Sequence, residues 1–294
     1  MDSMTTADAR GERRPAVLAR NTAQNFERWI RALLAPPLRL PRPNPGAFAA
    51  AAGLVAATVA SMFFLDAAAS DWASHEPGWL RGAFERITQF GLSGWFLFPS
   101  GFVLLALAAV ISPALPRRVQ ATLTALVVRF GFVFLAIGVP GLFVSIVKRG
   151  IGRARPFVGG QIGGHDDPFL YQALVWRPDY ASMPSGHAST AVAAAIAIGA
   201  IWPQSRAAMW LYAFLIMFSR VIVLAHHPSD VIAGALTGAA GVYLVRRWFA
   251  ARRLLFNRRD LKSFPGPSWP RVKHALDCVM GRRAAKIERG RKAL

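Results

Sequence analysis

Three polar clusters interrupt the apolar stretch between Lys148 and Asp230. Lys148 is followed after six residues by Arg155 and Pro156. Pro184-Ser185-Gly186-His187 opens one apolar run. Ser219-Arg220 closes another, followed by His226 and then Asp230. Each cluster suits an anion with several oxygens. Arginine presents a planar fork matched to phosphate, and lysine supplies a compact point charge. Backbone N–H groups at a helix start attract anions; Ser185 adds a hydroxyl donor and Gly186 lets a ligand approach the backbone. A carboxylate on one imidazole nitrogen fixes the tautomer and stabilises the imidazolium, so Asp230 would prepare His226 to attack through its other nitrogen. His187 is then available to protonate a leaving oxygen. Taken singly, each cluster also has a plainer reading: Lys148 and Arg155 snorkelling from a helix end, Ser185 as an N-cap, Asp230 as the cap of the next helix. The conjunction points to phosphate chemistry, with fixed cations, not a metal, meeting the phosphoryl charge.

The elements that must position these clusters read as membrane helices. The chain has 294 residues, of which 54% are hydrophobic and 17% charged, and its mean hydropathy is +0.33. Six apolar runs fall at about 47–65, 94–115, 120–147, 188–202, 207–225 and 231–245, several near the roughly 20 residues that cross hydrocarbon. The expected fold is therefore an all-α integral membrane bundle of six transmembrane helices. Pro99 is expected to kink the second run. The alanine-rich first run should pack against other helices, and Gly234, Gly238 and Gly241 give the sixth a small face for close contact. Arg129, inside the third run, is expected to sit in a structural ion pair. Residues 66–92 read as an acidic loop with Trp72 and Trp79 as interfacial anchors, the first run as an uncleaved signal anchor, and residues 148–186 as a long glycine-rich connection.

Charge gives the sidedness. The formal net charge is +20, and residues 246–294 alone hold 15 Lys+Arg against 3 Asp+Glu. Such tails read as cytoplasmic, touching anionic membrane lipids. No zinc-ligand pattern or RNA-binding motif accompanies them, so nucleic acid is not an expected partner. Six crossings put both tails and the basic turns at 117–118 and 206 on one side, and all three polar clusters on the other. The connection 148–186 breaks that rule with Lys148, Arg149, Arg153, Arg155 and Arg177, and an anionic ligand would explain the excess. The division expected is a basic N-terminal segment over 1–45, a membrane domain over 46–247 and a basic tail over 248–294. The first part of the N-terminal segment reads as disordered, with a short amphipathic helix at 24–34 lying among headgroups. Cys278 is the single cysteine, so no intramolecular disulfide exists.

The three motifs together resemble the signature of the type 2 phosphatidic acid phosphatase family, whose site is shared with vanadium-dependent haloperoxidases. Every motif position is matched, and the resemblance covers about 47–245. It implies an all-helical bundle and a lipid phosphatase without cofactor or metal. His226 would be the nucleophile that forms a phosphohistidine, with Asp230 orienting it. His187 would protonate the leaving group and then activate water. Lys148, Arg155, Ser185, Gly186 and Arg220 would bind the phosphate oxygens.

The expected function is hydrolysis of a lipid phosphate monoester or diphosphate at the outer face of the cytoplasmic membrane. The long 148–186 connection has room for a saccharide head and favours lipid A; undecaprenyl diphosphate and phosphatidylglycerophosphate are alternatives. A non-catalytic lipid-binding or transport protein would not need both histidines, whereas transfer of phosphate between lipids would use the same residues. Phe169, Tyr171 and Trp176 form a candidate wall or lid over the head group, and Arg177 a candidate second anion contact. His165-Asp166-Asp167 is a weaker candidate for metal binding.

Overall fold

The computed structural model describes residues 5–43, 45–158 and 167–281, with side chains from residue 16 onward except 17. The helices are α1 (Thr5–Leu34), α2 (Pro45–Phe64), α3 (Asp66–Ser74), α4 (Gly78–Gln89), α5 (Gly94–Val110), α6 (Arg117–Ile151), α7 (Gly186–Ile201), α8 (Arg206–Ile222), α9 (Pro228–Ala251) and α10 (Trp269–Val279). Five helical segments are long and apolar enough to cross a membrane, namely Pro45–Phe64, Gly78–Val110, Arg117–Ile151, Pro203–Ile222 and Pro228–Ala251, and Gly186–Ile201 is a shorter apolar helix. The fold is the expected all-helical membrane bundle.

The short helix is the central one. α7 packs against α6, α8 and α9, and Ala188, Ala191, Ala193, Ala194 and Ala197 along it are fully buried. Small side chains let its neighbours come close. The glycines of α9 do the same from the other side. A Cβ on Gly234 would stand 2.3 Å from the Ser185 carbonyl oxygen, one on Gly238 would stand 2.4 Å from that of Ser189, and one on Gly241 would meet the Pro140 ring of α6 at 2.6 Å. The small face read from the sequence is thus where α9 seats on α7 and α6.

Four expectations need correction. The alanine-rich α2 packs against α9 and α3, yet only Thr58 and Ser61 along it are buried; all its alanines but the half-buried Ala51 are exposed, because these neighbours cover a narrow stripe. Residues 66–92 hold two helices, α3 and α4, and not a loop; α4 is amphipathic and packs on α8. α1 starts at Thr5, well before residue 24, in a stretch rich in Ala and Arg, both good helix formers. Arg129 is buried, but its partners are the carbonyls of Ala125 (2.8 Å), Phe264 (2.9 Å) and Pro265 (2.8 Å); no carboxylate pairs with it among the described residues.

The bundle has two distinct ends. At the tail end, Asn25 of α1 donates to the carbonyls of Ala108 and Ile111, and Ala275 of α10 packs with Val119 and Leu123 of α6. The strap 252–268 folds back beneath the core, with Phe256 stacked edge-on against Phe132 at 4.7 Å. At the other end lie the C-terminus of α6, the N-termini of α7 and α9, and the turn after α8. That is where the three motifs meet.

Candidate active site

The first motif is split by a change of backbone direction. Lys148 lies in the last turn of α6, which ends at Gly152 in the left-handed conformation, φ +64°. A Cβ there would stand 1.8 Å from the Gln172 carbonyl oxygen, so only glycine fits. The chain then runs extended between two partners. Ala154 N–H donates to Leu170 O, Arg155 N–H to Asp179 O and Ser182 N–H to Arg153 O. Alternation along this segment sends Arg153 into the interior. The Arg155 guanidinium donates from Nε to the Pro178 carbonyl (3.1 Å). Burial lowers the Arg155 pKa, against the opposing pull of Asp179, and the group stays cationic at neutral pH.

The second motif caps α7. Ser185 is fully buried; its Oγ faces the Ala188 N–H at 3.5 Å, and its own N–H donates to the Asp230 carbonyl at 2.9 Å. The N-termini of α7 and α9 are therefore tied to each other. His187 follows on the first turn of α7, against Gly91, where a Cβ would meet the imidazole at 2.7 Å. Arg220, His226, Arg155 and Lys148 all lie close enough for their charges to act on the His187 ring. Arg220 donates from Nη1 to Thr88 Oγ1 at 2.6 Å, and its Nε is buried without an acceptor among the described residues.

The third motif places His226 in the turn before α9. Asp230 caps α9 through the His227 N–H, which donates to its Oδ2 at 2.9 Å. The same oxygen lies 3.9 Å from His226 Nδ1, longer than a hydrogen bond. Ser182 fills the gap: its hydroxyl donates to Asp230 Oδ2 at 2.6 Å, and its Oγ lies 3.4 Å from His226 Nδ1. The single hydroxyl proton is committed to Asp230, so Ser182 offers His226 only a lone pair. That arrangement favours a proton on Nδ1 and leaves Nε2 with a free pair. Burial holds the His226 pKa down to about 4, with Asp230 pulling upward and Arg220 and Arg155 pushing down. The imidazole is neutral, as a nucleophile must be.

All eight residues singled out from the sequence converge at this end: Lys148, Arg155, Ser185, Gly186, His187, Arg220, His226 and Asp230. Sequence reasoning missed four supports. Arg153 is fully buried and pairs with both Asp66 (2.8 Å) and Asp230 (2.6 Å). Its charge is answered by carboxylates and needs no ligand to explain it. Burial opposes that charge, but Asp230 and Asp66 outweigh it and raise its pKa. Ser182 and Thr88 are hydroxyls without a motif of their own. The one available signal was Asp66, a carboxylate directly after an uncharged apolar run.

A cavity of about 350 Å³ opens at His187 and runs between α5 and α6, lined by Leu92, Leu97, Ile137, Leu142 and Thr190. Phe169 packs on Phe63 at 5.3 Å, Trp176 lies under Arg149 at 4.5 Å, and the Tyr171 ring lies 5.9 Å from the Arg153 guanidinium; these rings form an exposed rim beside the site. Arg177 faces Asp179 at 3.4 Å and is exposed. His165 and Asp166 lie outside the described residues, and among those described no group of three His, Cys, Asp or Glu could hold a metal.

Known proteins are similar to the same region. The sequence profile of the PAP2 superfamily matches residues 129–254. A lipid A 1-phosphatase of Rhizobium johnstonii is 33% identical over 202 residues, covering 68% of this chain and 80% of the relative. The Rhizobium etli lipid A 1-phosphatase is 32% identical over 202 residues, covering 68% and 84%. A solved structure, that of a transmembrane PAP2 type phosphatidylglycerolphosphate phosphatase from Bacillus subtilis, is 20% identical, covers 67% of this chain and 94% of that one, and has a TM-score of 0.43.

Proposed function

The chain belongs to the PAP2 superfamily and is a membrane lipid phosphatase, and from that premise we propose that it removes a phosphate from lipid A through a phosphohistidine at His226. The observation that carries the reading is the meeting of two imidazoles, His226 and His187, with three cations, Lys148, Arg155 and Arg220, around one point. A phosphate ester entering there meets three positive charges for its oxygens and the N-terminus of α7. Nε2 of His226 attacks phosphorus, the N–P bond forms and the P–O bond to the lipid breaks. Burial and the neighbouring cations keep His187 neutral in the empty site; the phosphate brings the negative charge that lets the ring hold a second proton, and His187 then gives that proton to the departing lipid oxygen. The Nδ1 proton of His226 stays in place, facing Ser182 and the Asp230 carboxylate, which stabilise the ring now that it is cationic. His187 then takes a proton from water, whose oxygen displaces His226 and releases inorganic phosphate.

The choice of lipid A rests on the two Rhizobium relatives and on the shape of the site. The cavity at His187, apolar where Leu97, Ile137 and Leu142 line it, suits an acyl chain lying in the bilayer, while the exposed aromatic rim leaves room for a sugar head. The site end faces away from the cytoplasm in this reading, in the inner membrane. The basic tails and the amphipathic helices α1 and α10 lie on anionic lipid at the cytoplasmic face. The membrane domain spans 46–247, between the basic segments 1–45 and 248–294.

The test is release of inorganic phosphate by the purified protein from lipid A, undecaprenyl diphosphate, phosphatidylglycerophosphate and phosphatidate in detergent. Lipid A is expected to be turned over fastest, with a dephosphorylated lipid and no phosphorylated acceptor as product. Faster turnover of another lipid of the panel reassigns the substrate, and full turnover by His226→Ala removes the mechanism.

A further inference from the structure

Asp66 stands outside the three motifs and outside the stretch matched by the family profile, yet it is fully buried at the site end, where α2 gives way to α3. Arg153 Nη2 donates to its Oδ2 at 2.8 Å, and Arg153 Nη1 donates to Asp230 Oδ1 at 2.6 Å. Ser229 joins the two halves. Its N–H donates to Asp66 Oδ1 at 3.0 Å, its hydroxyl donates to Asp66 Oδ2, and its Oγ accepts from Arg153 Nη1 at 2.6 Å. Ser61 at the end of α2 donates a further hydrogen bond to Asp66 Oδ1, 3.1 Å. A single guanidinium is thus shared between a carboxylate from α3 and the carboxylate that faces His226.

The charges decide what this sharing does. Arg153 and Asp230 alone would form a neutral pair. The carboxylate would then offer little field to an imidazole that must become cationic when its Nε2 takes the phosphoryl group. Asp66 returns the cluster to a net charge of −1, and in a water-poor interior that field is weakly screened. The second carboxylate also gives the guanidinium a fixed place, which holds the Asp230 rotamer and keeps Oδ2 turned toward Ser182 and His226.

We propose that Asp66 is a positioning residue for the phosphatase reaction: by absorbing the charge of Arg153 it leaves the Asp230 carboxylate free to stabilise the cationic phosphohistidine. The inference rests on the His226 reading given above.

The experiment compares wild type, Asp66→Asn and the double variant Asp66→Asn/Arg153→Met in detergent. It follows phosphate release from lipid A, or from whichever lipid of the panel is turned over fastest, with thermal unfolding as the folding control. Asp66→Asn keeps the shape and is expected to fold, with kcat down roughly 10- to 100-fold and KM within about threefold. Removing both charges restores the −1 balance, so the double variant should recover at least about threefold of the loss, an outcome that a purely structural role would not give. Three results overturn the proposal: an Asp66→Asn protein that turns over at the wild-type rate, one that fails to fold, or a loss that the double variant deepens or leaves unchanged. His226→Ala in the same assay separates the two claims. Turnover by that variant removes the phosphohistidine itself, whereas an inactive His226→Ala beside a fully active Asp66→Asn removes only the role of Asp66.

Discussion

Arg129 and Arg153 are both buried, one along α6 and one just past its last turn, and their surroundings differ in kind. Arg129 is met by three neutral carbonyls, one from its own helix and two from the strap. Arg153 is met by two carboxylates from opposite ends of the sequence. Carbonyl dipoles hold a cation in place and leave the local net charge positive, which suits a tether for the returning C-terminal strap. Two carboxylates around one cation leave a negative remainder beside His226. The same residue type fastens the tail end of the bundle and sets the field at the site end.

The sharpest way to break this contrast is at the nucleophile. His226→Ala is expected to lower turnover by at least about 10³-fold while leaving thermal unfolding in detergent nearly unchanged. Arg153→Met comes next. It strands two carboxylates in the interior, and breaking one side of a buried ion pair costs about 3–5 kcal/mol. Loss of both folded yield and activity is expected, measured by thermal unfolding and phosphate release on the same preparation.

The glycines of α9 sharpen the contrast along one helix. Gly234→Ala forces a Cβ to within 2.3 Å of the Ser185 carbonyl. It should cost about 1–3 kcal/mol and displace the cap of α7, lowering kcat/KM roughly tenfold. Gly241→Ala presses on Pro140 instead, so it should lower stability by a similar amount with less effect on kcat/KM. Arg129→Met, which loses three carbonyl bonds from a charged donor, is expected to lower stability by about 1–3 kcal/mol and leave kcat/KM of the folded protein within about threefold. An Arg129→Met protein as inactive as Arg153→Met would end the distinction between the two ends.

The smallest effect is in pH. The folded-state pKa of His226, about 4, lies below the ordinary value near 6.5. Its contribution to stability is fully present above pH 6.5 and is lost as pH falls toward 4, because the unfolded chain takes up the proton first. For the same reason the acid limb of kcat/KM that belongs to the nucleophile should lie near pH 4; a limb near 6.5 that His226 controls would mean an exposed, solvated imidazole.

Much of the site was legible because its residues sit at the ends of apolar runs. A hydrophobic run of bilayer length forces its polar neighbours to a surface, so the run boundaries alone placed Lys148, Arg155, Ser185, Gly186, His187, Arg220, His226 and Asp230 at one end. Arg153 was legible as a charge but not as a buried one, since only the left-handed turn at Gly152 decides which way the next side chains point. Arg129 drew an expectation of an ion pair, because the sequence marks a buried charge and says nothing of carbonyls 135 residues away. The outward-facing alanines of α2 show the same gap: composition tells that a helix is apolar, and neighbours decide how much of it is covered.

The order of apolar and polar residues, by itself, determined the helical membrane bundle, the common end for the three motifs and the residue types suited to phosphate. Those features follow from local periodicity and from the cost of leaving charge in hydrocarbon. Tertiary structure alone decided that Ser182 stands between Asp230 and His226 and that Asp66 shares Arg153 with Asp230. These contacts join segments far apart in the chain, and their geometry follows from helix packing at small residues, which no single stretch of sequence encodes.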